Sequence, residues 1–161
     1  MVLNHQEILH KIRRMAYQIY EANVNEHEIV IAGIANNGYY LAELLKKEVE
    51  QIAPLSVRLC RVEMDKTNPI GQVTCDCSMD RIKDQSLVLV DDVLHSGTAL
   101  IYGVSFFLQV PLKKFKTAVL VDRNHKKYPV KADFKGISLS TSMNEKVVVD
   151  FSPGAFSAKM A

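Results

Sequence analysis

The chain has 161 residues, enough for one domain with a substantial core and too few for two ordinary ones, so a single domain over 1–161 is expected. Apolar residues make up 48% and charged residues 24%, with a net charge of +2, a balance that excludes an intrinsically disordered chain. No apolar run approaches the ~18–20 residues of a membrane span, and the amino terminus lacks a basic segment followed by an apolar one, so we expect a cytosolic protein.

The first part of the chain predicts helices alternating with strands. Apolar side chains at three- and four-residue spacing indicate an amphipathic first helix with Asn4 as its cap, and continuous apolar runs indicate buried strands. In order, we expect a helix at 3–22, a strand at 29–33, a turn at 34–38, a helix at 39–51, a strand at 55–62 and a loop at 63–74.

The most informative stretch runs from 86 to 100. Leu87 to Val90 is a continuous apolar run, typical of a central parallel strand that is covered on both faces. The carboxylates of Asp91 and Asp92 follow directly, at the edge where ligands bind in an open α/β sheet. Carboxylates accept hydrogen bonds but repel phosphate, so this pair suits sugar hydroxyls or Mg²⁺.

A short loop follows the acidic pair and leads into an apolar helix predicted from Ala99 to about Gln109. Gly97 lets backbone N–H groups approach an anion, and Ser96 and Thr98 add hydroxyl donors. The unpaired N–H groups of the helix start also favour negative charge. The stretch therefore predicts a phosphate site beside a diol site, as a ribose 5-phosphate unit requires.

The segment Val88 to Thr98, with Leu87 before it, resembles the phosphoribosyl pyrophosphate (PRPP) signature of the type I phosphoribosyltransferases: the four apolar residues of 87–90, an acidic pair, two apolar residues and a Ser-Gly-Thr loop. The resemblance implies an α/β fold, a mostly parallel open sheet flanked by helices with a small hood over the base pocket. It also implies transfer of ribose 5-phosphate from PRPP to a nucleobase, with Mg²⁺ as cofactor and a homodimer or higher homo-oligomer as the assembly.

The same resemblance implies roles for individual residues. Asp91 and Asp92 would hold the ribose hydroxyls and, through those hydroxyls or water, Mg²⁺; His95 would act as a proton acceptor near the base or as a donor to phosphate. The 5-phosphate would bind Ser96, Gly97, Thr98 and the amide of Ala99, and the pyrophosphate would bind Ala35, Asn36, Asn37 and Gly38, with Lys66 of a mobile loop reaching it on closure.

Two of the predicted binding loops depart from the family pattern. Asn36 and Asn37 offer amide donors where a basic residue is expected, and Ala99 lacks the hydroxyl of the usual threonine. One lost neutral hydrogen bond weakens binding by an amount on the order of 1 kcal/mol. A degenerate member that binds nucleotides without catalysis is therefore kept as an alternative, although the intact acidic pair argues against it.

Downstream, a buried strand is predicted from Phe115 to Val121, followed by Asp122 and Arg123 as candidates for the base pocket. The segment 119–136 resembles PyrR, a subfamily of pyrimidine operon regulators that are also uracil phosphoribosyltransferases. A last strand, 146–151, would form the pocket wall through Val147 and Val148, by resemblance, and the tail after Ser152 is expected to fray. Uracil is the favoured base, with hypoxanthine or guanine as the alternative.

A nucleotide-sensing RNA-binding regulator with little or no catalysis is the alternative from another class. The segment from 113 to 135 has a local net charge of +6, which leaves −4 for the rest of the chain. Such a basic segment could bind the phosphate backbone of RNA, and it could equally attract a highly charged substrate. The eight basic residues are Lys113, Lys114, Lys116, Arg123, Lys126, Lys127, Lys131 and Lys135.

Three cysteines, Cys60, Cys75 and Cys77, are an odd number and predict reduced thiols. Cys75 and Cys77 are separated by one residue and not by the two residues typical of zinc sites. The sequence therefore favours cysteines without a metal.

Overall fold

The computed structural model describes residues 1–123, 126–140 and 145–161, and within these ranges a six-stranded sheet is flanked by helices. The elements in chain order are α1 (His5–Glu21), β1 (Glu28–Ile34), α2 (Asn37–Ile52), β2 (Ser56–Glu63), β3 (Thr74–Cys75), α3 (Met79–Ile82), β4 (Ser86–Leu94), α4 (Thr98–Phe107), β5 (Lys114–Arg123), β6 (Phe134–Leu139), β7 (Val147–Asp150) and β8 (Ser157–Met160).

The sheet order β3-β2-β1-β4-β5-β6 decides where a ligand can bind. Strands β2, β1, β4, β5 and β6 pair in parallel, and β3 is antiparallel to β2 at one edge. The chain winds outward from β1 to β2, then crosses to the other side of β1 and continues from β4. The carboxyl ends of β1 and β4 therefore flank a topological switch point, where open α/β sheets bind their ligands.

Both faces of the sheet are covered, as the unbroken apolar strands predict. Side chains of β4 alternate between two cores: Val88 and Val90 pack with residues of α1 and α2, whereas Leu87 and Leu89 pack with residues of α3 and α4. This alternation confirms the predicted mostly parallel sheet between helices. Among the described residues, no helix is long and apolar enough to cross a membrane.

The predicted cap of the first helix is also present. The Asn4 side chain accepts a hydrogen bond from the Glu7 N–H at 2.9 Å, and the Glu7 carboxylate accepts one from the Asn4 N–H at 3.0 Å. This reciprocal pair satisfies two backbone donors that have no partner within the helix.

The carboxyl-terminal tail corrects one expectation. Residues after Ser152 were expected to fray, but β8 pairs antiparallel with β7, and Ala158 also bridges to Leu3 near the amino terminus. Ala158 is fully buried, so this small hairpin closes onto the core. Residues 141–144, within the segment that leads to β7, lie outside the described residues, as do residues 124 and 125.

The cysteines also differ from expectation. A disulfide joins Cys60 of β2 to Cys77 just beyond β3, and Cys75 is left as a free, half-buried thiol. The expectation of three reduced thiols is therefore wrong for this structure, because the antiparallel β2–β3 pairing brings residues 17 positions apart into contact.

Candidate active site

A cleft of about 320 Å³ opens at the carboxyl end of β4, at the switch point of the sheet. Most of the predicted ribose and phosphate residues line it together, although they come from a strand, two loops and a helix start. The predicted site residues that line it are Lys66, Asp91, Asp92, His95, Ser96, Gly97, Thr98 and Ala99.

The acidic pair lies at the inner end of this cleft. The side chain of Asp91 is 5% exposed and that of Asp92 is 16% exposed. The pKa of Asp91 is raised to about 7, mainly by burial; the ammonium of Lys66 opposes this rise, and the charge of the neighbouring Asp92 adds to it. Two carboxylates held in a low-dielectric cleft attract a cation or the hydroxyl donors of a sugar.

The ammonium group of Lys66 forms ion pairs with both carboxylates in the structure. Its Nζ lies 2.9 Å from Asp91 Oδ1 and 3.9 Å from Asp92 Oδ1. Burial alone would lower the pKa of Lys66, but the attraction of the two carboxylates outweighs it and the pKa is raised. The predicted role of Lys66 at the pyrophosphate thus requires its side chain to leave the acidic pair.

The loop between β4 and α4 has the features of a phosphate site. The hydroxyls of Ser96 and Thr98 are 2.7 Å apart, and the Thr98 N–H donates to Ser96 Oγ at 3.3 Å. Gly97 has φ = 89°, a left-handed conformation that side chains disfavour, and a Cβ there would come within 2.7 Å of Val130 Cγ1. The glycine therefore permits the tight turn that directs the first N–H groups of α4 towards the cleft.

The loop after β1 lies on the other side of the switch point. Asn37 Nδ2 donates to Asp92 Oδ2 at 3.2 Å and to the Val149 carbonyl at 2.8 Å, which links the loop to the acidic pair and to the β7–β8 hairpin. A Cβ on Gly38 would lie 2.8 Å from the Val90 carbonyl oxygen, so only glycine allows this close approach to β4. The Ala35–Asn36 peptide bond is cis.

Arg61 is a neighbour of this loop that sequence reasoning missed. The loop itself has no basic residue, but Arg61, near the end of β2, donates from its guanidinium to Asn36 Oδ1 at 3.0 Å. The same guanidinium lies 5.0 Å above the Tyr39 ring and 2.6 Å from Glu63 Oε1. The parallel β1–β2 register, which pairs Arg61 with Gly33, is the signal that could have found it.

His95 contacts Arg123, and this contact determines which ring nitrogen of His95 carries the proton. Arg123 NH1 is 2.8 Å from His95 Nδ1, and a guanidinium only donates hydrogen bonds, so Nδ1 accepts and the neutral ring keeps its proton on Nε2. Burial lowers the pKa of His95, and the positive charge of Arg123 lowers it further. Near neutral pH this imidazole is a hydrogen-bond donor through Nε2.

The other predicted base-pocket residues are dispersed. Asp122 is buried and forms ion pairs with Lys126 at 3.2 Å and Lys135 at 3.5 Å. Val147 is buried in the core, whereas Val148 is 53% exposed, because successive residues of a strand point to opposite faces. The structure therefore does not bring Val147 and Val148 to one common surface.

Comparisons with known proteins show the family and the fold of this chain. Residues 1–153 match the phosphoribosyl transferase domain. Bifunctional protein PyrR of Bacillus subtilis is 32% identical over 92% of this chain and 88% of its own length, and that of Macrococcus caseolyticus is 30% identical over 92% and 90%. A hypoxanthine-guanine phosphoribosyltransferase of Bacillus anthracis has a similar fold, with a TM-score of 0.75 at 21% identity, over 92% of this chain and 86% of that one.

Proposed function

This chain belongs to the phosphoribosyltransferase family with the type I fold, and from that premise we propose that it transfers ribose 5-phosphate from PRPP to uracil and releases pyrophosphate. The family membership supports the PRPP-dependent transfer. One observation supports its location: the buried acidic pair and the Ser96–Thr98 loop line a single cleft at the switch point. Uracil is supported by the similarity to PyrR over most of the chain.

Asp91 and Asp92 would accept hydrogen bonds from the two ribose hydroxyls. The pair fits a divalent cation, because it already attracts the ammonium of Lys66 and because carboxylate oxygens are ligands that Mg²⁺ prefers. Mg²⁺, held by these residues through hydroxyls or water, would supply the positive charge that neutralises the leaving pyrophosphate. Displacement of Lys66 from the pair would free it to contact the pyrophosphate.

The two loops would fix the ends of the substrate. Ser96, Thr98 and the first N–H groups of α4 would bind the 5-phosphate, and so orient the ribose. The loop after β1, with the charge of Arg61 beside Asn36, would bind the pyrophosphate. Arg61 thereby replaces the basic residue that the loop itself lacks.

His95 would contact the base as a donor. Its Nδ1 accepts from Arg123, which leaves the Nε2 proton to donate to a carbonyl oxygen of the base or to a phosphate oxygen. This assignment favours the donor over the general-base role among the two that the sequence left open. Uracil has two carbonyl oxygens that such a donor can bind.

An RNA-binding role is the alternative function. Four of the eight basic residues between 113 and 135 form ion pairs, but they share three carboxylates, and two of these, Asp122 and Asp133, already enter the local net charge of +6. Glu26 alone lowers that charge further, by one, so most of it stays available to a phosphate backbone. These ion pairs are Lys113 with Glu26, Lys126 with Asp122, Lys131 with Asp133 and Lys135 with Asp122.

Pyrophosphate release tests the proposal. The purified protein is incubated with PRPP and Mg²⁺, and uracil, hypoxanthine, guanine, adenine and xanthine are offered separately. We expect release with uracil alone, and its loss in the double variant Asp91→Asn/Asp92→Asn.

The outcomes separate the alternatives. Turnover of hypoxanthine or guanine in place of uracil would overturn the choice of base and keep the transferase. If no base reacts while PRPP still binds, the catalytic proposal is wrong, and RNA binding by the 113–135 segment becomes the leading function.

A further inference from the structure

All three cysteines of the chain meet at the edge of the sheet, outside the residues assigned to the transfer reaction. Cys60 is fully buried on β2, Cys75 ends β3 and Cys77 follows it. One ligand atom from each of these residues and a carboxylate oxygen of Asp76 all lie within 4.8 Å of one another. We refer to Cys60, Cys75, Asp76 and Cys77 as the sulfur cluster.

The disulfide accounts for only part of this cluster. It uses Cys60 and Cys77, and it leaves the Cys75 sulfur and the Asp76 carboxylate beside it. Burial raises the pKa of the Cys75 thiol, and the hydrogen bond from the backbone N–H of Cys77 offsets only part of that rise. The backbone on both sides is ordered by pairing, since the Arg61 N–H donates to Asp76 Oδ1 at 2.7 Å and the Asp76 N–H donates to the Arg61 carbonyl at 3.1 Å.

The size of the cluster matches a tetrahedral metal site. Zinc binds thiolates at about 2.3 Å, which places two sulfurs of one tetrahedron about 3.8 Å apart. The ligand atoms already lie within 4.8 Å of one another, so most of them would need to move by only ~1 Å. The two disulfide sulfurs must in addition move apart once the bond between them is reduced. Three sulfurs and one carboxylate oxygen are ligand types that Zn²⁺ binds, and together they make up the four ligands of a tetrahedral zinc site.

We propose that the reduced chain binds one Zn²⁺ ion through the thiolates of Cys60, Cys75 and Cys77, with the Asp76 carboxylate as fourth ligand. The disulfide form and the zinc form exclude each other. A phosphine and water convert the disulfide to two thiols and leave the phosphine oxide; zinc then displaces the three thiol protons as its bonds to sulfur form.

The position of the cluster relates it to the loop 64–73. This loop leaves β2 three residues after Cys60, returns at β3 just before Cys75, and brings Lys66 to the acidic pair. A zinc ion would tie the two ends of the loop together without entering the cleft. Zinc binding and the transfer reaction are therefore separable, and failure of one does not imply failure of the other.

Metal content of the reduced protein tests the proposal. The full chain is reduced with a water-soluble phosphine without oxygen, equilibrated with Zn²⁺, freed of unbound metal by gel filtration, and analysed for zinc and protein. We expect one zinc per chain. Replacement by Co²⁺ is expected to give thiolate-to-cobalt charge-transfer bands and the visible bands of a tetrahedral ion.

Cys75→Ser is the decisive variant, because it keeps the two cysteines of the disulfide and so keeps a route to the folded state. Its zinc affinity is expected to fall by at least ~100-fold, since losing even an outer partner of a ligand costs 10–100-fold. Ser78→Ala, an exposed neighbour that is not a ligand, is the matched control and should bind zinc like the unmodified chain. Less than stoichiometric zinc in the reduced protein, or equal binding by Cys75→Ser, would overturn the proposal.

Discussion

Asp91→Asn is expected to abolish transfer and at the same time to stabilise the fold. The carboxyl group is buried in the cleft, and burial is the main reason that its pKa is raised from 3.8 to about 7. Between these two values the folded chain holds a proton that the unfolded chain has released. The free energy of unfolding therefore falls as the pH rises through this window, and the loss persists above it.

The expected size of this stabilisation follows from the pKa shift of Asp91. A rise of about three pH units, at ~1.4 kcal/mol for each, makes ionised Asp91 cost about 4 kcal/mol of unfolding free energy at about pH 8. Asparagine has no charge to desolvate, and its side-chain oxygen can still accept from the Asp92 N–H, as Asp91 Oδ1 does at 2.9 Å. The variant should therefore be more stable by up to ~4 kcal/mol at about pH 8, and by under ~2 kcal/mol at about pH 5.

Urea denaturation followed by circular dichroism at several pH values measures this difference. Asp92→Asn is the matched control, because it removes the neighbouring carboxylate, whose side chain is more exposed than that of Asp91. The reasoning would be refuted if Asp91→Asn gave no gain at high pH, or a gain that stayed constant as the pH fell.

Three further predictions concern the loop, the histidine and the tail. Gly97→Ala should lower the free energy of unfolding by about 1–2 kcal/mol, because a side chain disfavours φ = 89° and its Cβ would press on Val130; an unchanged urea midpoint would contradict this. Arg123→Gln should raise the pKa of His95, measured by NMR titration of the imidazole, because a positive charge that opposes protonation is removed; a lower pKa would contradict the assigned contact. Deletion of 157–161 should cost at least ~2 kcal/mol in the same urea assay, because it removes β8 and uncovers buried residues, whereas a tail that frays would cost nothing.

Two of the strands missed from the sequence are defined by distant partners. β6 has an alternating burial pattern with polar side chains, and β8 has only Ser157 and Ala158 buried. Neither has the continuous apolar run that identified β4. Their strand character comes from pairing with β5 and β7, and a short segment does not contain that information.

The contacts of long side chains at the site were also not predicted from the sequence. Arg61 and Lys66 belong to β2 and the loop after it, yet they contact Asn36 and Asp91. Such contacts depend on the order of the strands and on which rotamer a flexible side chain adopts. The sequence identified Lys66 as a loop cation but not the carboxylates that it contacts, and it did not identify Arg61 at all.

The sequence by itself determined the buried central strand, the acidic pair after it and the phosphate loop, because each is a local pattern: an apolar run, two adjacent carboxylates, and a glycine between hydroxyl side chains. The tertiary structure alone decided what lies beside them. Sheet order brought the loop after β1 to Asp92, Arg61 to that loop, and Cys60 to Cys75 and Cys77. Contacts between segments far apart in the chain depend on how strands pair, and pairing is a property of the folded chain as a whole.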